Sequence, residues 1–290
     1  MSLIAPLVAA RAPIAATPAT RGRRRPPLLR ALGNAEPPLR VEIAGVEFQQ
    51  LETFKHDSWA ATALYESHDG RQVVCKFNRI QPVFGLPMRW LGRLLARRER
   101  LMLERLANEP LVPDGSGDVL IDGNTAHNCV AHEFVPGRPL ARRMPLSPEF
   151  FDELDALLAR VHEHGVAYVD LHKRENILVG VDGRPYLIDF QISMRLSDAG
   201  LAGAVLHALQ RCDRYHLAKH VRRGAIDGGA GGVAGRDVGR PWIIRLHRRI
   251  AVPLRGLRRQ LLVWLRVRTP GGRAHTEVDP EVGSLQWTGL

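Results

Sequence analysis

The sequence predicts an α+β fold of two lobes: a small antiparallel sheet that carries one helix, and a reduced, mainly helical lobe. Three observations support this prediction. Apolar and polar residues alternate from Val41 onward, which is typical of half-buried strands. Two later segments, 89–107 and 147–165, repeat apolar residues every three or four positions, as amphipathic helices do. A charged loop then leads directly into a short hairpin over 177–188.

The strands of the first lobe follow from this alternation and from one turn signal. His68-Asp69-Gly70 separates two strand-like runs, and an Asp-Gly pair at such a point favours a tight hairpin. Two further apolar runs after the first helix extend the sheet. The expected strands are 41–48, 60–67, 72–77, 118–121 and 129–134.

Both helices carry end signals. The first has an apolar stripe among many Arg residues, and Asn108-Glu-Pro ends it. In the second, Ser147 is the expected N-cap and Pro148 occupies the first helical position. Gly165 is expected to end this second helix, because glycine adopts the left-handed conformation that commonly follows a last turn.

The two ends of the chain differ from the middle in composition. Residues 1–40 hold seven Pro and seven Arg against one acid, so we expect a disordered basic tail there. Residues 224–239 are rich in Gly and predict a linker. Residues 240–290 are expected to form a basic amphipathic extension.

The charge balance points to an anionic partner. Lys and Arg number 41 against 30 Asp and Glu, which gives a formal net charge of +11. Only four of the 41 are Lys, so the excess is guanidinium, which suits phosphate and carboxylate groups. No run approaches the ~20 consecutive apolar residues of a membrane-spanning helix, and none is expected. The three cysteines lie far apart and are expected to be free thiols.

Residues 240–268 carry the strongest basic pattern. They contain nine Arg and no acid, with apolar residues at helical spacing and an interruption at Pro253. Three interpretations stay open: packing on the second lobe, contact with an anionic membrane surface, or contact with nucleic-acid phosphates. No aromatic residues alternate with the Arg, so we do not expect specific nucleic-acid binding.

Three oxygen-bearing residues mark a candidate site. Asp170 lies on a charged loop, Asn176 follows six residues later, and the hairpin then brings Asp189 to the end of an apolar strand. Asn176 and Asp189 offer the hard oxygen ligands that Mg²⁺ prefers. Asp170, at the start of the loop, is placed to accept a proton from a hydroxyl nucleophile.

These residues resemble the catalytic core of the protein-kinase-like superfamily. Asp170 matches the catalytic-loop Asp, while Asn176 and Asp189 match the Mg²⁺-binding pair at the family's thirteen-residue step. The resemblance covers roughly 45–200 and is closest to bacterial atypical kinases of the lipopolysaccharide-core kinase and RIO-like type. It implies an N-lobe over 41–135 and a C-lobe with the catalytic loop over 136–223.

The resemblance assigns further residues upstream. Val73-Val-Cys-Lys76 looks like the strand whose Lys grips the α- and β-phosphates of ATP, and Glu99 looks like the helix residue that pairs with this Lys. Glu133-Phe-Val-Pro-Gly looks like the hinge, which implies that Glu133 and Val135 bind adenine. The apolar neighbours of Lys76 also predict burial, and a buried ammonium needs a carboxylate or phosphate partner.

The sequence departs from the family pattern at several points. Tyr168-Val-Asp170 replaces His-Arg-Asp, and Gln191 replaces the Gly of Asp-Phe-Gly. The step from Asp170 to Asn176 is one residue longer than usual, so the loop is expected to bulge. The Gly-rich phosphate loop is missing, and residues 54–62 stand in its place without glycine.

Some assignments have a competing interpretation. Glu104 is an alternative partner for Lys76, and Glu99 could instead form a surface salt bridge. Lys173 and Arg174 either stabilise a transferred phosphate or are solvated, and His172 is either a substrate contact or an exposed loop residue. Asp213, His216 and His220 are expected on one face of a helix. They either ligate a metal, which their spacing permits, or simply form a polar face.

The expected function is that of an atypical ATP-dependent kinase. It would use ATP and Mg²⁺ to phosphorylate a hydroxyl of a protein Ser/Thr or of a lipopolysaccharide or glycan acceptor. The alternative is a nucleotide-binding pseudokinase scaffold at a membrane surface, which the altered phosphate loop motivates. The expected location is the bacterial cytoplasm or the inner face of the inner membrane, and the oligomeric state stays open.

Overall fold

The structure is a computed structural model that describes residues 26–83 and 85–226. Two short 3₁₀ turns, Pro27–Leu29 and Arg174–Asn176, accompany the regular elements. In chain order these are β1 (Arg40–Ile43), β2 (Val46–His56), β3 (Ala60–Ser67), β4 (Gln72–Asn78), α1 (Arg89–Arg105), β5 (Val119–Ile121), β6 (Asn124–Thr125), β7 (Cys129–Glu133), β8 (Gly137–Pro139), α2 (Phe150–Glu163), β9 (Val166–Ala167), β10 (Ile177–Gly180), β11 (Pro185–Leu187), β12 (Met194–Arg195) and α3 (Gly200–Ile226).

The predicted α+β fold class is confirmed. Seven strands form an antiparallel sheet in the order β6-β5-β1-β2-β3-β4-β7, and α1 packs against β4 and β7. The second lobe contains α2 and α3 with two small sheets, β11-β10-β8 and β12-β9. Among the described helices, none is both long and apolar enough to cross a membrane.

The period of two along β4 decides which side chains reach the site. Val73, Cys75 and Phe77 point into one core, together with Phe48 and Tyr65 of the neighbouring strands. The residue between them, Lys76, therefore points to the opposite face of the sheet, where α1 lies. Strand β4 is buried on both faces, so Lys76 is only 8% exposed.

The second lobe has its own core. The buried faces of α2 and α3 pack against the β10–β11 hairpin and the loop before it, and α1 contributes Met102 and Leu103 to the same cluster. Helix α2 begins at Phe150, three residues after the predicted N-cap, because Ser147 accepts the Phe150 N–H in a turn through its backbone carbonyl. Gly165, with φ of +70°, follows this helix as expected.

The prediction of a disordered tail over 1–40 is wrong for its last part. Residues 27–36, called here the N-terminal strap, pack on the sheet, and Arg30 is only 3% exposed. The Arg30 guanidinium donates to the Glu36 carboxylate at 2.6 Å and lies 2.8 Å from His56 Nδ1. Composition alone suggested disorder, but these polar groups bond to one another, and the strap backbone bonds to His56 and Asp57 at the end of β2. Residues 1–25 lie outside the described residues.

The C-terminal predictions are tested only at their start. Helix α3 continues to Ile226, so the first residues of the predicted linker over 224–239 are helical. The remainder of this linker and the basic extension over 240–290 lie outside the described residues.

Arg79 joins the strap to the turn between β2 and β3. It is only 2% exposed and donates hydrogen bonds to the carbonyl oxygens of Ser58 at 2.6 Å and Leu28 at 2.9 Å. It also donates to the carbonyls of Gln81 and Pro82. A single guanidinium thus holds three separate chain segments together.

We expect Arg79→Gln to lower the free energy of unfolding by about 3 kcal/mol, because Arg79 is buried and four partly buried carbonyls lose a charged donor at once. Denaturant unfolding followed by circular dichroism measures this change. The exposed Arg71→Gln is the matched control and should change the free energy by less than about 0.5 kcal/mol. Equal effects of the two substitutions would contradict the role given to Arg79.

Candidate active site

Three charged side chains from distant parts of the chain meet between the two lobes. Lys76 Nζ of β4 lies 3.1 Å from Glu99 Oε2 of α1 and 2.6 Å from Asp189 Oδ1, just after β11. Glu99 is 2% exposed, which excludes the surface salt bridge considered for it. Glu104, the alternative partner, lies on the exposed side of α1. We call Lys76, Glu99 and Asp189 the ion cluster.

Burial and pairing act in opposite directions within the ion cluster. Burial alone would lower the pKa of Lys76, but the two carboxylates outweigh it and raise that pKa above its usual range. Burial raises the pKa of Glu99 to about 7; Lys76 opposes this rise, whereas repulsion from Asp189 adds to it. For Asp189, burial is outweighed by Lys76, and the pKa falls below its usual value. The cluster therefore favours a charged Lys76 and a charged Asp189.

The residues of the predicted catalytic loop lie together near the ion cluster. Asp170 is 2% exposed, and its Oδ2 accepts hydrogen bonds from Asn176 Nδ2 at 2.9 Å and Lys173 Nζ at 2.7 Å. Its Oδ1 has no hydrogen-bond partner among the described residues and lies 3.3 Å from His172 Nδ1. One carboxylate oxygen is thus held by the protein while the other remains able to accept a proton.

The extra residue between Asp170 and Asn176 is absorbed locally. Residues Arg174–Asn176 form a 3₁₀ turn, and the exposed Lys173 bonds back to Asp170. This turn delivers Asn176 directly to the start of β10, so the longer loop still brings Asn176 to Asp170.

The β10–β11 hairpin brings Asn176 close to Asp189. Ile177 pairs with Leu187, and the Ile188 N–H donates to the Asn176 carbonyl at 3.1 Å. Asp189 follows immediately with φ of +62°, a left-handed conformation that turns the chain out of the strand. The thirteen-residue step seen in the sequence is therefore the length of one short hairpin.

The residues present fit a magnesium ion. Asn176 uses its side-chain N–H on Asp170, which leaves its amide oxygen as an acceptor. Asp189 is buried next to Lys76 with a lowered pKa, so it presents a charged carboxylate. Two hard oxygen donors carried on one hairpin match the ligand preference of Mg²⁺.

Asp213 of α3 holds the catalytic loop from below. It is fully buried and accepts hydrogen bonds from the backbone N–H groups of Tyr168 and Val169, each at 2.8 Å. Its Oδ2 also lies 3.2 Å from His162 Nε2. The Val169 backbone, with φ of +69°, is strained for a β-branched residue, and this carboxylate stabilises it.

The metal interpretation of Asp213, His216 and His220 is wrong for the described residues. Asp213 bonds the catalytic loop, whereas His220 Nε2 lies 2.6 Å from the Leu171 carbonyl. No group of three or more His, Cys, Asp or Glu within the described part of the chain could hold a metal ion. The shared helix spacing reflects two separate supports of the catalytic loop.

The turn that replaces the Gly-rich loop already contains an anion. Asp57 Oδ1 accepts the backbone N–H of Trp59 at 2.7 Å and of Ala60 at 2.9 Å, and Lys55 lies 2.7 Å from Oδ2. Burial works against ionisation, but Lys55 and the two N–H groups outweigh it and hold the pKa of Asp57 below its usual value. These N–H groups are therefore used by Asp57.

The predicted hinge lies at the end of β7. Glu133 is exposed, and its N–H donates to the Asp114 carbonyl at 2.9 Å. Its own carbonyl lies 2.8 Å from His132 Nδ1. Val135 follows in a half-buried position, and the ring of Phe134 lies 6.2 Å from that of Phe54 on β2. The two rings form an apolar wall that bridges the sheet and the hinge.

Three contacts join the segment after β11 to the first lobe. Besides the Lys76–Asp189 pair, Gln191 Nε2 donates to Asn78 Oδ1 at 2.7 Å. Arg98 of α1 donates to the Ser193 carbonyl at 3.0 Å. Asp189 and Gln191 make their contacts through side chains, whereas Ser193 makes its contact through its backbone carbonyl. We call these three contacts the lobe clasp.

The comparisons with known proteins each match only part of the chain. No protein-family model matches the chain. A stretch of 115 residues, 36% of the chain, is 34% identical to the protein kinase PINOID of Oryza sativa subsp. japonica and covers 22% of that protein. The chain thus matches about a fifth of the length of this curated relative.

Two solved structures are also similar. The Rio2 kinase from Chaetomium thermophilum matches with a TM-score of 0.45 and 19% identity, over 60% of this chain and 57% of that one. The ADP/Mg²⁺-phosphoaspartate complex of the same kinase matches with a TM-score of 0.43 and 19% identity, over 60% and 56%. Less than two thirds of each of these structures is covered.

Sequence reasoning missed two residues of the site. Asp57 was interpreted only as part of a glycine-free segment. An Asp side chain often accepts the backbone N–H two residues further on, and this turn signal could have indicated its role. Asp213 was considered as a metal ligand, and nothing in its neighbours on the helix indicates that it accepts two backbone N–H groups more than forty residues away. Its partners could be found only from the fold.

The raised pKa of Glu99 predicts a pH-dependent stability. The pKa rises from 4.5 to about 7 on folding, so the stabilisation from its protonated form is complete below 4.5 and is lost as the pH rises through 7. Relative to Glu99→Gln, the free energy of unfolding of the wild type should therefore fall by about 3 kcal/mol over this window. Denaturant titrations between these pH values measure it.

Glu104→Gln, one turn further on the exposed side of the same helix, is the control and should parallel the wild type at every pH. A constant difference between wild type and Glu99→Gln across the window would contradict the raised pKa.

Proposed function

We propose that the protein is an atypical kinase that transfers the γ-phosphate of ATP to a hydroxyl group. The observation that carries this proposal is the convergence of Lys76, Asp170, Asn176 and Asp189 between the lobes. Phosphoryl transfer depends mostly on positioning and charge neutralisation, so this small set of groups is sufficient for it.

Each residue has a role that its contacts support. Lys76 would bind the α- and β-phosphates, and Glu99 holds its ammonium in position from α1. Glu133, through its carbonyl oxygen, and Val135, through its backbone, would bind adenine, with the Phe54–Phe134 wall beside the base. Asp170 would orient the acceptor hydroxyl and take its proton at Oδ1, the oxygen that no described residue hydrogen-bonds.

Asn176 and Asp189 would hold Mg²⁺, which neutralises phosphate charge when it is bound. Before nucleotide binds, Lys76 neutralises Asp189 at 2.6 Å. When nucleotide is bound, its phosphate oxygens would share the Lys76 ammonium with Glu99 and Asp189. The Lys173 ammonium, 2.7 Å from Asp170, would offset negative charge beside the anionic substrate.

The acceptor is proposed to be a protein Ser/Thr or a lipopolysaccharide or glycan hydroxyl, in line with the resemblance to lipopolysaccharide-core and RIO-like kinases. A cytoplasmic location, or a peripheral one on the bacterial inner membrane through residues 240–268, accompanies this proposal. The basic extension that would make this contact lies outside the described residues. The net positive charge of this extension supports the proposed contact with an anionic membrane.

A pseudokinase scaffold is the second candidate, and one observation favours it. Asp57 occupies the N–H groups that would otherwise be available to phosphate in the β2–β3 turn. A carboxylate there repels the triphosphate and weakens nucleotide binding. In this case the protein would bind nucleotide, or a partner, without transferring phosphate.

The catalytic proposal predicts that Asp170→Asn and Asp189→Asn each lower phosphate transfer at least about hundredfold, since one removes the proton acceptor and the other a metal ligand. Transfer of radiolabelled γ-phosphate to protein, lipid and glycan fractions measures it and identifies the acceptor class. Asp198→Asn is the control, because Asp198 is exposed and lies outside the site.

Equal transfer by all four proteins would exclude catalysis by these residues. If the wild type transfers nothing but is thermally stabilised by ATP and Mg²⁺, the pseudokinase is the better description.

A second prediction concerns Asp57. Asp57→Gly removes the internal anion and frees two backbone N–H groups, so ATP should bind about tenfold more tightly. Asp57→Asn keeps the turn hydrogen bonds and removes only the charge, so its gain should be smaller. Isothermal titration calorimetry with ATP and Mg²⁺ measures both. Asp69→Gly, in the turn between β3 and β4, is the control. Weaker binding by a folded Asp57→Gly would show that Asp57 supports the nucleotide site.

A further inference from the structure

Helix α1 has a second apolar face, opposite to the one that carries Glu99. Its inner side, with Gly92, Ala96 and Leu103, is buried against the sheet and the second lobe. On the outer side, large apolar residues are solvent-exposed: Trp90 by 62%, Leu94 by 44% and Leu101 by 49%. At 100° per residue, these three side chains fall within an arc of about 40°. We call them, with their flanking residues, the outer face of α1.

Arginines flank this apolar strip. Arg93, Arg97 and Arg105 lie on the exposed surface of the helix next to the strip, and Arg89 precedes it. Among the described residues, none forms an ion pair or hydrogen bond with Arg89, Arg93 or Arg97. The same helix does use Arg98 and Arg100, which bond to Ser193 and Asp118. The only acid on the outer face is Glu104.

The apolar strip extends along three turns of α1, with its large side chains directed to solvent. A further large apolar residue, Leu86, is 66% exposed in the loop that precedes the helix. A single convex helix presents the strip, so the partner must be flat or concave.

We propose that the outer face of α1 binds an anionic membrane surface. Trp and Leu enter the boundary between headgroups and acyl chains, while the Arg guanidiniums pair with lipid phosphates. Long Arg stems cover apolar surface and keep their charge in the headgroup layer. A Trp is suited to that boundary, because its ring is apolar and its N–H is polar. An anionic bilayer suits this surface because it offers phosphates at the depth of the Arg residues and acyl chains beneath them for the apolar strip.

The proposal does not depend on the kinase activity, nor on residues 240–268. It places a membrane contact on the described part of the chain, on the helix that holds Glu99 against Lys76. Contact with lipid would thus act on the same helix as the ion cluster.

The test uses the full chain and vesicles of phosphatidylcholine with or without phosphatidylglycerol. The wild type should sediment with the anionic vesicles and much less with the neutral ones. Leu94→Glu/Leu101→Glu should lower this partition at least about tenfold, because it places two carboxylates in the strip. The control Leu201→Glu/Val205→Glu makes the same charge change at exposed apolar positions of α3, and should retain binding.

A second readout identifies the surface that touches lipid. In a variant where Trp90 is the only tryptophan, brominated phosphatidylglycerol should quench its fluorescence. Circular dichroism and thermal unfolding confirm that each variant is folded. The proposal is overturned if the wild type does not bind anionic vesicles, which is the result expected if the outer face of α1 binds an acidic protein instead. It is equally overturned if binding persists without Trp90 quenching and survives Leu94→Glu/Leu101→Glu, since another surface then makes the contact.

Discussion

The structure depends on one buried ammonium. Lys76 points away from the apolar core of the sheet into a region that excludes water, and an unpaired charge there would cost several kcal/mol. Its carboxylate partners come from α1 and from the segment after β11, which are far apart in the chain. Satisfying Lys76 therefore sets the rotation of α1, the register of β4 and the position of the hairpin that carries Asp189.

A second set of contacts prepares the catalytic loop and the turn above it without any ligand. Asp213 holds two backbone N–H groups of the loop, and Asp57 holds two of the β2–β3 turn. The two carboxylates have different consequences, since the first supports Asp170 from the core side and the second places negative charge near the proposed phosphate position. The N-terminal strap further fixes this turn, because the Ala31 N–H donates to the Asp57 carbonyl at 2.7 Å. The β2–β3 turn, which contains no glycine, is therefore held rigid by these hydrogen bonds.

The sequence was informative where local chemistry and chain order decide the outcome. The alternation around Lys76 and the hairpin between Asn176 and Asp189 were readable, because both follow from the period of a strand and the signal of a turn. Contacts between segments distant in sequence were not readable. Arg30 was counted in a basic tail, yet it is buried by partners from another element, and Arg79 is likewise buried by contacts that the sequence does not indicate. The role of Asp213 was not predicted for the same reason, because its partners lie more than forty residues away.

The lobe clasp has a consequence for how the cleft opens. Its links at 189, 191 and 193 involve β4 and α1 together, so separating the lobes breaks all of them in one step. Such an arrangement makes opening of the cleft cooperative, because breaking one contact does not separate the lobes while the other two remain. The rate at which the cleft exchanges its contents would then depend on this complete separation of the two lobes.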